Sequence, residues 1–171
     1  MQGLIWALFG AALAVFLGGV GSSIGTGIAG LAAAGLVSRE PDKFGQTIIL
    51  QALPGTQGIY GFLAGTLVLS KLQFFGGNPI IELPNLTGWY IFAACLPVGI
   101  SCLISGIYQG KVAAAGVNIL AKAGNEHVGK GIIYAAVVET YAIIGLIATI
   151  LLLNGIQIET TTSMMFRIIM G

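Results

Sequence analysis

The chain has 171 residues, of which 56% are hydrophobic and only 8% charged, and its formal net charge is +1. So few charges cannot cover a surface that faces water on all sides, and a balanced charge without a basic patch excludes a nucleic-acid partner. Glycine occurs 27 times, about twice its usual share in a soluble domain.

Four apolar segments account for most of the sequence: roughly Gly3 to Val37, Gly45 to Leu72, Gly88 to Leu120 and Gly129 to Leu153. Each exceeds the ~20 residues that a helix needs to cross a hydrocarbon core of about 30 Å, so each is expected to be a transmembrane helix. The first follows the initiator Met directly, with no Lys or Arg ahead of it, and runs far longer than a signal-peptide core; no cleaved signal is expected. Taken every fourth residue it reads Gly10, Ala14, Gly18, Ser22, Thr26, Gly30, Ala34. Residues four apart share a helical face, and a face of small side chains lets another backbone approach closely.

The second segment carries QALPGTQGIYGF, in which Leu53, Thr56, Gln57 and Tyr60 follow i, i+3, i+4, i+7 spacing. One face thus presents a backbone carbonyl, a hydroxyl, an amide oxygen and a phenol, and Pro54, lacking an N–H, weakens the local ladder and can free a carbonyl. The third segment repeats the small stripe as Cys95, Gly99, Cys102, Gly106, Gly110 and Ala113, and adds the amide of Gln109. Its two cysteines, seven apart on one helix, cannot bridge each other and read as small packing residues. The two stripes outrun a single dimerisation motif, and four helices are too few to bury both; a close-packed homo-oligomer with the first and third helices inward is expected.

The fourth segment holds one carboxylate, Glu139, inside YAAVVETYAIIG. Near the bilayer midplane an ionised carboxylate costs about 3 kcal/mol or more, so it must be paired, protonated or bound to a cation. Arg39, Lys43, Lys111, Lys122 and Lys130 lie at or near the short connections after the first and third helices, against Lys71 and Arg167 on the other side. The positive-inside rule places those connections in the cytoplasm and both termini outside. His127, Asn118 and Asn125 read as loop or helix-end polar residues, and Thr160 to Gly171 as a C-terminal extension without a functional signal.

The halves repeat each other. AAAG at Ala32 to Gly35 recurs at Ala113 to Gly116, and Phe44-Gly45 and GFLAG at Gly61 match Val128-Gly129 and GLIAT at Gly145. The expected organisation is an all-α membrane protein of two duplicated hairpins, residues 1–80 and 81–156, followed by 157–171. An even number of spans per repeat inserts both copies in the same orientation, unlike inverted-repeat transporters. The counterpart of Glu139 in the first hairpin is Gly55, so four helices share one acidic site.

Thr56, Gln57 or Gln109 taken singly reads as interhelical hydrogen bonding, with Glu139 protonated as packing glue. Converging on one glutamate, they read as an oxygen site with a single negative charge, suited to a small hard monovalent cation. A divalent ion would want a second carboxylate. A transition metal lacks ligands, since His127 lies in a connection and no thiol is near.

These residues resemble the ring-forming proteolipid, K or c, of V/A-type rotary ATPases over residues 1 to about 155, through the LPGTQGIYGF stretch, Gln109 and VVET. The resemblance implies a ring of identical subunits turning in the membrane against a static subunit that carries an essential arginine, and joined to a central-stalk subunit. It implies a non-catalytic rotor in a cell membrane, expected to be bacterial, coupled to ATP hydrolysis or synthesis. In the sodium-translocating branch Na⁺ is held by the equivalents of the Leu53 carbonyl, Thr56, Gln57, Gln109 and Glu139, with Tyr60 hydrogen-bonding the glutamate. Every such position is filled here, which favours Na⁺. The alternatives are the same rotor carrying H⁺ and a self-contained channel or small transporter.

Overall fold

Thirty-six residues without a proline or a charge form one uninterrupted helix, α1 (Gln2–Val37), about 54 Å long. The computed structural model describes residues 2–158; Met1, and residues 159–171 with Arg167 and the Thr160 to Gly171 extension, lie outside the described residues. After α1 a single 3₁₀ turn, Pro41–Lys43, carries a surface ion pair between Lys43 and Glu40 at 3.6 Å and leads into α2 (Phe44–Ala52).

The second apolar segment departs from the expected single helix. It is divided by a 3₁₀ turn at Leu53–Gly55 into α2 and α3 (Thr56–Lys71). Pro54 removes one amide from the ladder, and the chain tightens at that point without leaving the right-handed helical region: Leu53 has φ −53°, ψ −50° and Gly55 φ −79°, ψ −22°. Consequently, among the described residues, three helices rather than four are individually long and apolar enough to cross a membrane: Gln2–Val37, Asn85–Ala123 and Asn125–Gly155.

The linker after α3 turns through left-handed Gln73 (φ 61°) and Gly77 (φ 79°) and enters α4 (Asn85–Ala123). Gly124, at φ 87°, ends α4 in a conformation that penalises any Cβ, and α5 (Val128–Gly155) returns unbroken. Lys111, expected at or near a connection, lies within α4 some twelve residues before its end, about 18 Å away. Its ammonium sits 4.7 Å from the Tyr108 ring centroid. At 39 residues, α4 is about 58 Å long and outruns a 30 Å hydrocarbon core, so part of it projects beyond the core.

The two hairpins lie in the same orientation. Going along both helices, Gly3 meets Gly88, Gly10 meets Phe92, Gly21 meets Leu103 and Gly25 meets Gly106, so α1 and α4 run parallel, as the duplication requires. The contact is close because the side chains are absent: a Cβ on Gly10 would lie 2.7 Å from the Phe92 Cα, and one on Gly21 2.5 Å from the Cys102 carbonyl oxygen. In lipid, such close backbone approach supplies the dispersion energy that holds helices together. α3 returns antiparallel along α1, with Gly18 against Gln57 and Gly61, and α5 along α4, with Gly131 against Gly116 and Gly145 against Pro97.

The small stripe of α1 does not form one inner face along its whole length. Gly10, Ala14, Gly18 and Ser22 are buried, but Ala34 is exposed, and Gly21, Gly25, Ala29 and Ala33 take over. Steps of four overshoot a full turn by about 40°, so the row winds around the helix while the α4 contact stays straight. Cys95 and Cys102 are buried and free, as packing residues should be.

At the end opposite the α1–α2 connection, Trp6 stacks on Trp89 (3.9 Å between centroids) and Phe9 on Phe92 (5.8 Å). Amphipathic aromatic rings favour the level of the headgroups.

Candidate functional site

Two apolar layers bracket a polar one. Ala14, Ala64, Cys102 and Ala142 belong to a buried cluster towards the aromatic end; Ala29, Ala113 and Ala135 form a second cluster towards the connections. Between them lie Gln57 and Gln109, both fully buried, and the half-buried Glu139.

Each polar group is delivered by a different element for a local reason. The 3₁₀ turn at Pro54 opens α3, so that Thr56, Gln57 and Tyr60 fall in its first two turns. Gln109 sits between Gly106 and Gly110, where α4 lies against the backbone of α1. Glu139 lies eleven residues into α5, at the level where the repeat has its 3₁₀ turn in the first hairpin.

The phenol of Tyr60 donates to Glu139 Oε1 at 2.6 Å, and Gln109 Nε2 donates to Glu139 Oε2 at 3.4 Å. Gln57 Nε2 in turn donates to Gln109 Oε1 at 2.5 Å. The direction of this chain follows from the glutamate. A carboxylate only accepts, so Gln109 must turn its NH₂ to it and its oxygen away; that oxygen calls for the NH₂ of Gln57, whose own oxygen is then left over. Gln57 Oε1 is accordingly buried with no hydrogen-bond partner among the described residues. A buried acceptor in that condition costs about 1–3 kcal/mol and represents an unmet demand for a donor or a cation.

The other two residues expected at the site pair with each other. The Leu53 carbonyl accepts the Thr56 hydroxyl at 3.1 Å and also the Thr56 amide. The structure thus links Tyr60, Glu139, Gln109 and Gln57 into one network and sets Leu53 and Thr56 beside it, one turn earlier on the same face, without a hydrogen bond to the glutamate. The oxygens available to a small cation are those of Glu139, the orphaned Gln57 Oε1, the second lone pair of Gln109 Oε1, and the Leu53 and Thr56 pair.

Two supports were not legible as such in the sequence. Ser22 of α1, noted only as a small residue, accepts the backbone N–H of Gly58 at 2.7 Å. Thr149 of α5 accepts the N–H of Val98, next to Pro97, at 3.2 Å. The only signal for either is a hydroxyl within an apolar stretch, which hydropathy averages away. On the counterpart side, a Cβ at Gly55 would touch only the Thr26 methyl, at 3.9 Å, so the first hairpin leaves space where the second carries its carboxylate.

A family model for the C subunit of ATP synthase matches the chain twice, over residues 9–68 and 92–152, once per hairpin. The chain is 47% identical over 150 residues to the V-type sodium ATPase subunit K of Enterococcus hirae, which covers 88% of this chain and 91% of that one. It is 42% identical over 153 residues to the A-type ATP synthase subunit K of Methanocaldococcus jannaschii, covering 90% of this chain but 64% of that protein, so it spans just under two thirds of that relative's length. The 16 kDa proteolipid of the V-type proton ATPase of Nephrops norvegicus is 29% identical over 155 residues, covering 89% of this chain and 92% of its own.

Proposed function

The chain belongs to the family of the ATP synthase C subunit, and from that footing we propose that it is the rotor subunit of a V/A-type ATPase and carries Na⁺. Identical copies form a ring in which each copy crosses the membrane four times, α2 and α3 together making the second crossing, as hairpins 1–80 and 81–156. The ring turns against a static membrane subunit bearing an arginine and is fixed to a central-stalk subunit; the chain itself catalyses no reaction. The membrane is the bacterial cell membrane, with the connections after α1 and α4 in the cytoplasm.

The observation that carries the sodium reading is the orphaned, fully buried Gln57 Oε1 at the end of the chain that starts at Glu139. A proton needs only the carboxylate. A desolvated cation needs several oxygens to replace its water, and one carboxylate neutralises one positive charge. Leu53, Thr56, Gln57, Gln109 and Glu139 are the proposed ligands, with Tyr60 holding the carboxylate in place. The sodium ATPase subunit with which the chain shares 47% identity supports the same ion.

The cycle follows from membrane electrostatics. Glu139 must be neutralised while it faces hydrocarbon, where an unpaired charge is strongly disfavoured, and it releases its ion where the stator arginine replaces it. Moving one charge through 100 mV exchanges about 2.3 kcal/mol, so several steps are summed for each ATP.

The test is covalent labelling of Glu139 by a hydrophobic carbodiimide in the assembled complex. Na⁺ added at fixed pH should slow the labelling in a saturable way. Labelling that is indifferent to millimolar Na⁺ makes the cargo H⁺ and removes the sodium assignment.

A further inference from the structure

We infer that Ser22 is a positioning residue for cation binding, a role in which α1, without contributing a ligand, sets the pairing of Gln57 with Gln109. The inference rests on the ion site proposed above. The α1 backbone at Ser22 lies where three helices meet. Its hydroxyl accepts the N–H of Gly58, the residue after Gln57. Its own backbone N would lie 3.1 Å from a Cβ placed on Gly106, three residues before Gln109.

One residue of α1 therefore bonds the backbone next to Gln57 and lies against the backbone one turn before Gln109. The contact on α3 is the more demanding. Just after the 3₁₀ turn at Pro54 the helix could rotate about its axis, and such a rotation would swing Gln57 away from Gln109. Two features of α1 oppose it: Gly18, where a Cβ would stand 2.7 Å from the Gln57 carbonyl oxygen, and the Ser22 hydroxyl on the next amide. The fit is close, since a Cβ on Gly58 would come within 3.3 Å of Ser22 Oγ and the hydroxyl would have to give by a few tenths of an ångström. Ser22 is also distinct from its neighbours: Ser23 and Thr26 spend their hydroxyls on carbonyls of α1 itself.

The orphaned Gln57 oxygen can meet a cation only if the Gln57 amide is held in register. Losing one neutral hydrogen bond behind it should weaken ion binding by roughly three- to tenfold. The experiment uses the complete ATPase complex and measures Na⁺-dependent ATP hydrolysis. For Ser22→Ala the KM for Na⁺ should rise three- to tenfold, while kcat at saturating Na⁺ stays within about twofold of wild type. Ser23→Ala should move neither. Gly58→Ala, whose methyl would press on the Ser22 hydroxyl from the other side and make it give by a few tenths of an ångström, should shift the KM in the same direction, and it carries the test if Ser22→Ala fails to assemble. An unchanged KM in either variant, a fall in kcat alone, or an equal shift in Ser23→Ala overturns the proposal. Wild-type hydrolysis that does not depend on Na⁺ overturns the sodium reading and this inference together, whereas Na⁺-dependent wild type with unshifted variants overturns this one alone.

Discussion

Glu139 acquires its surroundings from residues that its own helix does not contain. Tyr60 holds one carboxylate oxygen, Gln109 approaches the other, and Gln57 completes the relay. The types of these residues and their spacing were readable from QALPGTQGIYGF and Gln109, because helical periodicity fixes which side chains share a face. The direction of the relay was not, since only the contact between Gln109 and a pure acceptor decides which way each amide turns. Glu139→Gln keeps the shape and removes the charge. A unit charge 4 Å from a cation is worth about 4 kcal/mol at an effective dielectric of 20. Sodium affinity should therefore fall by on the order of a hundredfold or more, with coupled transport lost and assembly retained. Sodium-22 uptake by reconstituted complexes checks the transport, and gel mobility of the purified ring checks the assembly; loss of the oligomer would make the side chain structural.

The elements differ in how they could be read. The lengths of α1 and α5 follow from long apolar runs without a proline, and the break in the second span from Pro54, whereas α4 runs on through Pro97. The small stripes announced close packing but not its geometry. Seven residues at intervals of four looked like one face, yet the described structure buries the early members and exposes Ala34, because that row winds around the helix. Gly3, Gly10 and Gly88 carry the α1–α4 contact near the aromatic end, and Gly21, Gly25, Gly106 and Gly110 carry it beyond. At Gly25 a methyl group would collide with the Gly106 carbonyl and stand 2.8 Å from the Pro54 Cβ, both parts of rigid elements. Gly25→Ala should destabilise the fold by about 1–3 kcal/mol, as overpacking does. Gly35→Ala, where nothing lies within 4 Å, should be neutral or slightly stabilising, through the better helix propensity of alanine. Thermal denaturation of the two variants in detergent, followed by circular dichroism, distinguishes them.

For the whole molecule, the apolar exterior remains to be covered. Phe16, Leu31, Phe62, Tyr141 and Leu151 are all at least 60% exposed, which suits lipid or a second copy and does not suit water. The proposed ring accounts for part of this surface. Gently solubilised protein should therefore run as a large oligomer, at several times the mass of the 17.5 kDa chain, and liposomes containing it alone should show no Na⁺ flux. A monomer that conducts Na⁺ by itself would sink the rotor reading and favour a self-contained channel. Mass measurement in detergent by light scattering, together with flux assays, decides between them.

The sequence by itself determined that the protein is helical and membrane-embedded, that its hairpins are duplicated in one orientation, and that it has one acidic site for two hairpins. Those properties follow from segment length, hydropathy and the internal repeat, each a local quantity. Only the tertiary structure decided that Gln57 keeps a buried oxygen without a partner, that Leu53 and Thr56 pair with each other beside the network, and that Ser22 reaches the backbone behind the glutamines. Those are relations set by how closely glycines let backbones approach and by which way each amide must turn, and no periodicity within one helix encodes them.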